Sequence, residues 1–361
     1  MTLDWATGIL SAAAAQALIV AGIVLLMRTG RPADWRLAAL LCVLAGKTTP
    51  YMFGWRGHAE APDWLALLPF NAPLAVGPLL YGYASARANG RGPRREWLHV
   101  APPLCEFAYD CSCLLLPAAV RHEWKETGHD HWVKPLLEFA FVVSLLSYAA
   151  LSLRLARGFR FRLAQERSDA DRHAATLLPF TAGVLLATAI TYGGIFVYSN
   201  WIAEIDIGPF FLWIALVSMG LSLEGWRSTG LPVLQPSLPA PVPSERKVHD
   251  WPVLGARWRD DIAAGGWWRE PELTLAEVAR RLGVNATYLS RAINEGLGVN
   301  FNEAINGMRA ADVAIRLGAG DQTDLLTLAF DAGFSSKATF NRAFQARFDV
   351  SPSAYRRRLT S

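Results

Sequence analysis

Over residues 1–226 apolar side chains run continuously instead of recurring in stripes. Seven such segments stand out, at 5–27, 35–53, 65–83, 97–117, 133–156, 175–199 and 207–226. Each is about 19–25 residues long, enough to cross roughly 30 Å of hydrocarbon as a helix rising 1.5 Å per residue. The fourth departs furthest from a plain span, because it carries Glu106, Asp110 and the pair Pro102–Pro103. The pattern then breaks. Residues 231–244 contain Pro232, Pro236, Pro239, Pro241 and Pro243, a density that disfavours helix and favours extended polyproline II. Beyond Trp251 apolar residues return at helical spacing among charges, as in a soluble helical domain. The chain therefore reads as all-α in three parts: a polytopic transmembrane bundle of about seven helices at 1–228, a proline-rich linker at 229–250, and a soluble domain at 251–361.

Composition agrees with that division. Hydrophobic residues make up 52% of the chain and charged ones only 18%, and many of the 14 tryptophans flank apolar runs, where interfacial anchors belong. Cys42, Cys105, Cys111 and Cys113 all sit in apolar stretches, so a secreted disulfide framework is not expected. No basic region precedes the first apolar run, which reads as a retained helix and not a signal peptide.

The net charge of +4 names no partner, but its distribution orients the spans. Arg28, Arg31 and Arg36 follow the first span. Arg87, Arg91, Arg94 and Arg95 follow the third. Arg154, Arg157, Arg160, Arg162, Arg167 and Arg172 follow the fifth. These thirteen residues share one side, and the opposite gaps hold only Arg56, Arg121, Lys125 and Lys134. The positive-inside rule then predicts a periplasmic N-terminus and a cytoplasmic C-terminal domain in a bacterial inner membrane.

In that domain Thr274 and Glu277 have the spacing of a capping box. Leu275, Val278, Ala279 and Leu282 form one apolar face, Gly283 permits a turn, and Asn285 caps a helix over 286–294 that buries Leu289 and Ile293. This is a helix-turn-helix pattern, and it recurs. A connecting helix over 301–317 is expected to bury Phe301, Ile305, Met308 and Ile315. Leu325, Leu328, Ala329 and Ala332 make the next face, before Gly333-Phe334. Ser335 or Ser336 caps a helix over 337–348 that buries Phe340 and Phe344. Ser351-Pro352 opens a final short helix, with serine as N-cap and proline at the first position.

The stretches "LTLAEVARRLGVNATYLSRAI", "GVNF", "LAFDAGFSSKATFNRAF" and "DVSPSAYRRR" resemble the AraC/XylS family of transcription regulators. The resemblance covers residues 273–358 tightly. The seven-span layout is similar, more loosely, to a subgroup with a multi-spanning N-terminal region. It implies that the second helix of each unit enters a major groove of double-stranded DNA. The reading positions are then Thr287, Ser290 and Arg291 in the first unit, and Lys337, Ala338, Thr339, Asn341 and Arg342 in the second. Arginine suits guanine and asparagine suits adenine. Lys/Arg number eleven against nine Asp/Glu over 272–361, so non-specific DNA affinity is expected to be modest. RNA polymerase and a second copy of the chain are further candidate partners, and no cofactor is expected.

Ionisable groups within a bilayer suggest function by default. Lys47, Asn71, Asp110 and Glu138 fall at similar depth in the outer halves of their spans, with Glu106 one turn from Asp110. Together they are the candidate pocket for an unknown small-molecule effector. A structural polar network joining helices would use the same residues. The stretch 121–134, with His122, His129 and His131, reads as a wet outer loop and matches no strong metal-site spacing. No metalloprotease motif, P-loop or nucleophile elbow is present, so an enzyme is not expected. A membrane transporter or enzyme with an appended regulatory domain is the alternative reading. A retinal sensor is disfavoured, because 207–226 holds no lysine. A mere membrane anchor would not need seven spans.

Overall fold

The structure, a computed structural model, describes residues 5–26, 32–52, 72–169, 177–202, 208–228 and 250–360. Asn71 and the linker at 229–249 lie outside these residues. The described residues are helical apart from turns and one isolated bridge. They divide into two compact units, one from Met1–Leu155 with Leu177–Gln235, the other from Ala156–Thr176 with Pro236–Ser361.

The first unit contains α1 (Trp5–Leu26), α2 (Pro32–Met52), α3 (Val76–Asn89), α4 (Glu96–Leu114), α5 (Ala118–Trp124), α6 (Lys134–Glu166, to Leu155), α7 (Leu177–Trp201) and α8 (Gly208–Ser228). Helices α1, α2 and α8 pack on one another, α2 also packs on α3, and α3 on α7. Ala14, Ala17 and Ala21 put small residues on the buried face of α1, which lets backbones approach closely. Leu37, Leu40, Leu41 and Leu44 fill the space from α2. A Cβ on Gly77 would stand 2.6 Å from the Tyr148 ring, so only glycine permits that contact between α3 and α6.

Several expectations change here. Among the described residues three helices are long and apolar enough to cross a membrane: Thr7–Leu26, the continuous stretch Ala118–Glu166, and Leu178–Ser199. Pro209–Glu224 is apolar but shorter. Helix α2 carries Asp34, Arg36 and Lys47, and α4 carries Glu96, Glu106 and Asp110, which lowers their apolar character. Of the third segment, the described residues form a 3₁₀ turn at Pro73–Ala75 followed by α3, which has 14 residues. Helix α6 continues ten residues past the expected end of the fifth span. The stretch 121–134 is not an open loop: α5 passes through a π-helical segment, Lys125–Val133, directly into α6. There His129 is buried on Tyr109 (2.9 Å), His131 bonds the Glu126 carbonyl, and His122 pairs with Glu126.

The C-terminal part of the second unit contains α9 (Trp251–Gly265), α10 (Leu275–Leu282), α11 (Ala286–Arg291), α12 (Phe301–Gly318), α13 (Leu325–Asp331), α14 (Lys337–Phe348) and α15 (Pro352–Thr360). Polar caps set the starts. Thr274 with Glu277, and Asn300 with Glu303, form complete capping boxes. Asp250, Asn285, Asp324, Ser336 and Ser351 accept from backbone N–H groups in the first turns of their helices. Each such cap contributes about 1 kcal/mol.

The core of this domain joins Trp258, Ile262, Leu273, Val278, Leu289, Ile293, Phe301, Ile305, Val313, Leu317, Leu328 and Phe334 to the aromatic row Phe340, Phe344, Phe348 and Tyr355. On α12 the buried row is Phe301, Ile305, Val313 and Leu317. Ile315 is 71% exposed and Met308 is partly buried. Spacing by fours and threes continues to Val313 and Leu317, two residues to either side of Ile315, which turns it outward.

Candidate nucleic-acid interface

Two helix-turn-helix units define the interface. In the first, α10 leads through Gly283, in the left-handed region at φ 66°, to Asn285 and the reader helix α11. In the second, α13 leads through Gly333 (φ 90°) to Ser336 and α14. A Cβ on Gly333 would lie 2.3 Å from the Arg269 carbonyl oxygen, so this turn needs glycine for space as well as conformation.

On α14, Lys337, Ala338, Asn341 and Arg342 are exposed. They lie on the outer face, at spacings of three and four. Thr339 is not with them. It is buried, and its hydroxyl pairs with that of Ser336 (2.9 Å), the oxygen that also caps the helix. Spacing within the helix does not reveal this, because it follows from the cap.

The first reader is more constrained. α11 has six residues and passes into a π-helical turn at Ala292–Gly296. Thr287 and Ser290 are half-buried and Arg291 is exposed. Arg291 Nε donates to Glu295 Oε1 at 3.0 Å, and its guanidinium lies over the Trp251 ring at 4.7 Å. A base contact by Arg291 must compete with that pair. The four-residue spacing to Glu295 is a sequence signal for it, whereas the part played by Trp251 is visible only in the fold.

A buried polar centre supports both units. Arg309, on α12, is 1% exposed. It donates to the carbonyls of Trp268 (2.7 Å) and Glu270 (2.6 Å), to Asn306 Oδ1 (2.9 Å) and to Ser168 Oγ (3.2 Å). Burial pushes its pKa down to about 10, while the charge of Asp169 acts the other way. At the surface, a forked hydrogen bond from Arg281 holds the Glu270 carboxyl below the usual carboxylate range.

In the first unit the candidate pocket residues within the described chain come together. Lys47 (α2), Glu106 and Asp110 (both α4) are buried, and Glu138 (α6) is half-buried. Glu106 accepts from the Leu74 backbone N–H at 3.1 Å, Glu138 lies beside Tyr192, and both carboxylates are within electrostatic reach of Lys47. The Lys47 ammonium also faces the Phe141 ring at 5.3 Å. Among the described residues no group of three or more His, Cys, Asp or Glu side chains forms a metal-binding cluster.

Comparison with known proteins places the second unit. Residues 278–358 match the helix-turn-helix domain family. The regulatory protein SoxS of Salmonella typhimurium is 32% identical over 87 residues, covering 24% of this chain and 80% of SoxS. Its Escherichia coli counterpart is 31% identical over the same length. An HTH-type transcriptional regulator of Staphylococcus aureus (strain COL) is 33% identical over 85 residues, 24% of this chain, and the match spans only 11% of that protein. The C-terminal domain of AraT, a response regulator from Geobacillus stearothermophilus, is 30% identical, with 29% of this chain and 84% of that one covered and a TM-score of 0.26.

Proposed function

This chain belongs to the AraC/XylS family of transcription regulators through its C-terminal domain, and we propose that it is a multi-pass protein of the bacterial inner membrane that reads double-stranded DNA from the cytoplasmic face in response to a small molecule met by its membrane domain. The observation that carries the DNA reading is the exposed set Lys337, Asn341 and Arg342 on the reader helix of a complete second helix-turn-helix unit. Arginine and asparagine supply bidentate base contacts, and lysine a phosphate or base contact.

The membrane reading rests on apolar side chains turned outward, among them Leu18, Ile19, Phe139, Val143, Ile190, Val197, Leu216 and Leu223. An aqueous surface would not favour so large an apolar area. The thirteen basic residues on one side orient it. Sensing is assigned to Lys47 with Glu106, Asp110 and Glu138. Each ion costs a few kcal/mol in hydrocarbon, and a polar ligand that pairs with them in one helix arrangement shifts the balance between arrangements. The shift is passed on by α8 and the linker.

Three readouts on the full chain test this reading. Reporter fusions after Gly128 and Ser228 should report opposite sides of the membrane; the same side for both refutes the topology. Asn341→Ala and Arg342→Ala should each weaken binding to the preferred duplex by about 1–3 kcal/mol and relax its sequence preference; unchanged preference in both refutes the reader assignment. A compound that shifts the melting of the parent in detergent should lose its effect in Asp110→Asn and Glu138→Gln, and an undiminished shift in both places the ligand elsewhere.

A further inference from the structure

The second unit contains a stretch far from the DNA-binding domain in sequence. Helix α6 ends at Glu166, and Arg167, Ser168 and Asp169 then lie along that domain. Ser168 and Asp169 are fully buried, at 0% and 1% exposure. The Ser168 N–H donates to the Leu273 carbonyl at 3.1 Å, and Arg167 forms an antiparallel bridge with Thr274. Asn302, Asn306 and Arg309 stand on one face of α12, four and three residues apart. The Asn302 amide donates to the carbonyls of Arg167 (3.1 Å) and Ser168 (2.8 Å). The Asn306 amide donates to the Ser168 carbonyl (3.1 Å), and Arg309 donates to the Ser168 hydroxyl (3.2 Å). Arg167 closes over the Asp169 carboxylate at 2.7 Å. An ordinary surface loop leaves its backbone groups to water; here fixed side chains on the helix joining the two reading units take them up.

One more contact leads to the reading face. The Asn294 amide donates to Gln165 Oε1 at 2.6 Å, and also to Ser290 Oγ at 3.3 Å. Asn294 follows Ser290 by four residues and Thr287 by seven, on the row that the first reader helix would turn to a major groove. We propose that the end of α6 is an intramolecular mask: Arg167–Asp169 dock on α12, Gln165 covers the Ser290–Asn294 row, and DNA must displace it to be read by the first unit. This inference deepens the DNA-binding reading and rests on it. Gln165 is the last residue but one of α6, and the mask is therefore the end of that helix and the three residues that follow it.

The test uses the full chain in lipid nanodiscs and a duplex that the parent selects from a random-sequence pool. Gln165→Cys and Asn294→Cys are combined and joined by a short, reducible bis-methanethiosulfonate cross-linker, with each single variant as control for the native cysteines. The cross-link should form without DNA and fall about fivefold at saturating duplex, and the joined protein should bind that duplex about tenfold more weakly than the same sample after reduction. Gln165→Ala, which leaves the DNA-binding domain unaltered, should bind about fivefold more tightly than the parent, the effect of one hydrogen bond. Absence of the cross-link, a yield indifferent to bound DNA, or parental affinity in Gln165→Ala overturns the mask. If the reduced protein selects no duplex at all, the DNA-binding reading falls and the mask falls with it.

Discussion

Replacing Arg309 by methionine tests whether the polar centre of the DNA-binding domain stabilises it or only strains it. Two effects oppose each other. Burying the guanidinium is costly: a pKa pushed down to about 10 corresponds to roughly 3 kcal/mol against the charged form. Four hydrogen bonds work the other way. Bonds made by a charged group contribute about 1.5–3 kcal/mol each, so together roughly 6–12 kcal/mol, and they outweigh the burial. Methionine removes the charge and keeps most of the volume. It also leaves the carbonyls of Trp268 and Glu270 without this donor, at about 1–3 kcal/mol each. The expected net loss is at least about 3 kcal/mol, a large share of the roughly 5–15 kcal/mol that holds a domain folded. Hydrogen exchange of α10 and α12 in the full chain reads this locally, and protection there should drop about a hundredfold. Arg309→Lys should do no better than methionine, because a single ammonium keeps the burial cost without the planar fork. A drop of less than about tenfold in Arg309→Met, or full protection in Arg309→Lys, refutes the argument.

Phe344→Ala removes a fully buried ring that contacts Phe340, Phe348 and Tyr355; it should cost about 3–5 kcal/mol, seen as loss of protection in α14, and a cost under about 1 kcal/mol would mean the row repacks freely. Glu270 and Asp321 both titrate below the usual carboxylate range, Glu270 through Arg281 and Asp321 through its hydrogen bonds to Thr323. Their contribution is present above the unfolded carboxylate pKa and disappears as pH falls through the lowered folded values. The urea midpoint of the second unit, read by limited proteolysis, should therefore hold from neutral pH to about pH 5 and decline below about pH 4, less steeply in Glu270→Gln; an equally steep decline in that variant removes Glu270 from the account.

Much of the DNA-binding domain is legible in the sequence because its determinants are local. Thr274, Asn285 and Ser351 announce helix starts through side chains that reach two or three residues onward, and the Asn300–Glu303 box obeys the same rule. The apolar rows of α10 and α14 follow from periodicity. Ile315 shows where periodicity fails: the sequence marks it apolar, but the row carried by Val313 and Leu317 decides which side of α12 faces the core. Thr339 shows a second failure, since a cap at Ser336 turns it inward from a helix that otherwise presents its polar residues. The approach of Lys47 to Glu106 and Glu138 is foreshadowed by polar residues at similar depth. Docking of Arg167–Asp169 is not foreshadowed at all. Its partners are more than a hundred residues away, and in the sequence the three residues only continue a basic stretch that the membrane alone explains.

The two reader helices are prepared unequally, and the difference bears on how the protein commits to a site. Helix α14 has twelve residues, its start fixed by Ser336 and its inner face by Phe340 and Phe344; its proposed reading side chains, Lys337, Asn341 and Arg342, are already exposed. Helix α11 has half that length. Its arginine is held by Glu295 and Trp251, and its Ser290 row by Asn294 and Gln165. A base contact by Arg291 or Ser290 must first replace an existing one, so its net yield is the difference between two similar terms. A domain with a small charge excess gains little from phosphates alone. Occupancy then becomes sensitive to the small difference at α11. That is the term a control element can move, because a change of about 1.4 kcal/mol there alters affinity tenfold while leaving the reading residues of α14 untouched.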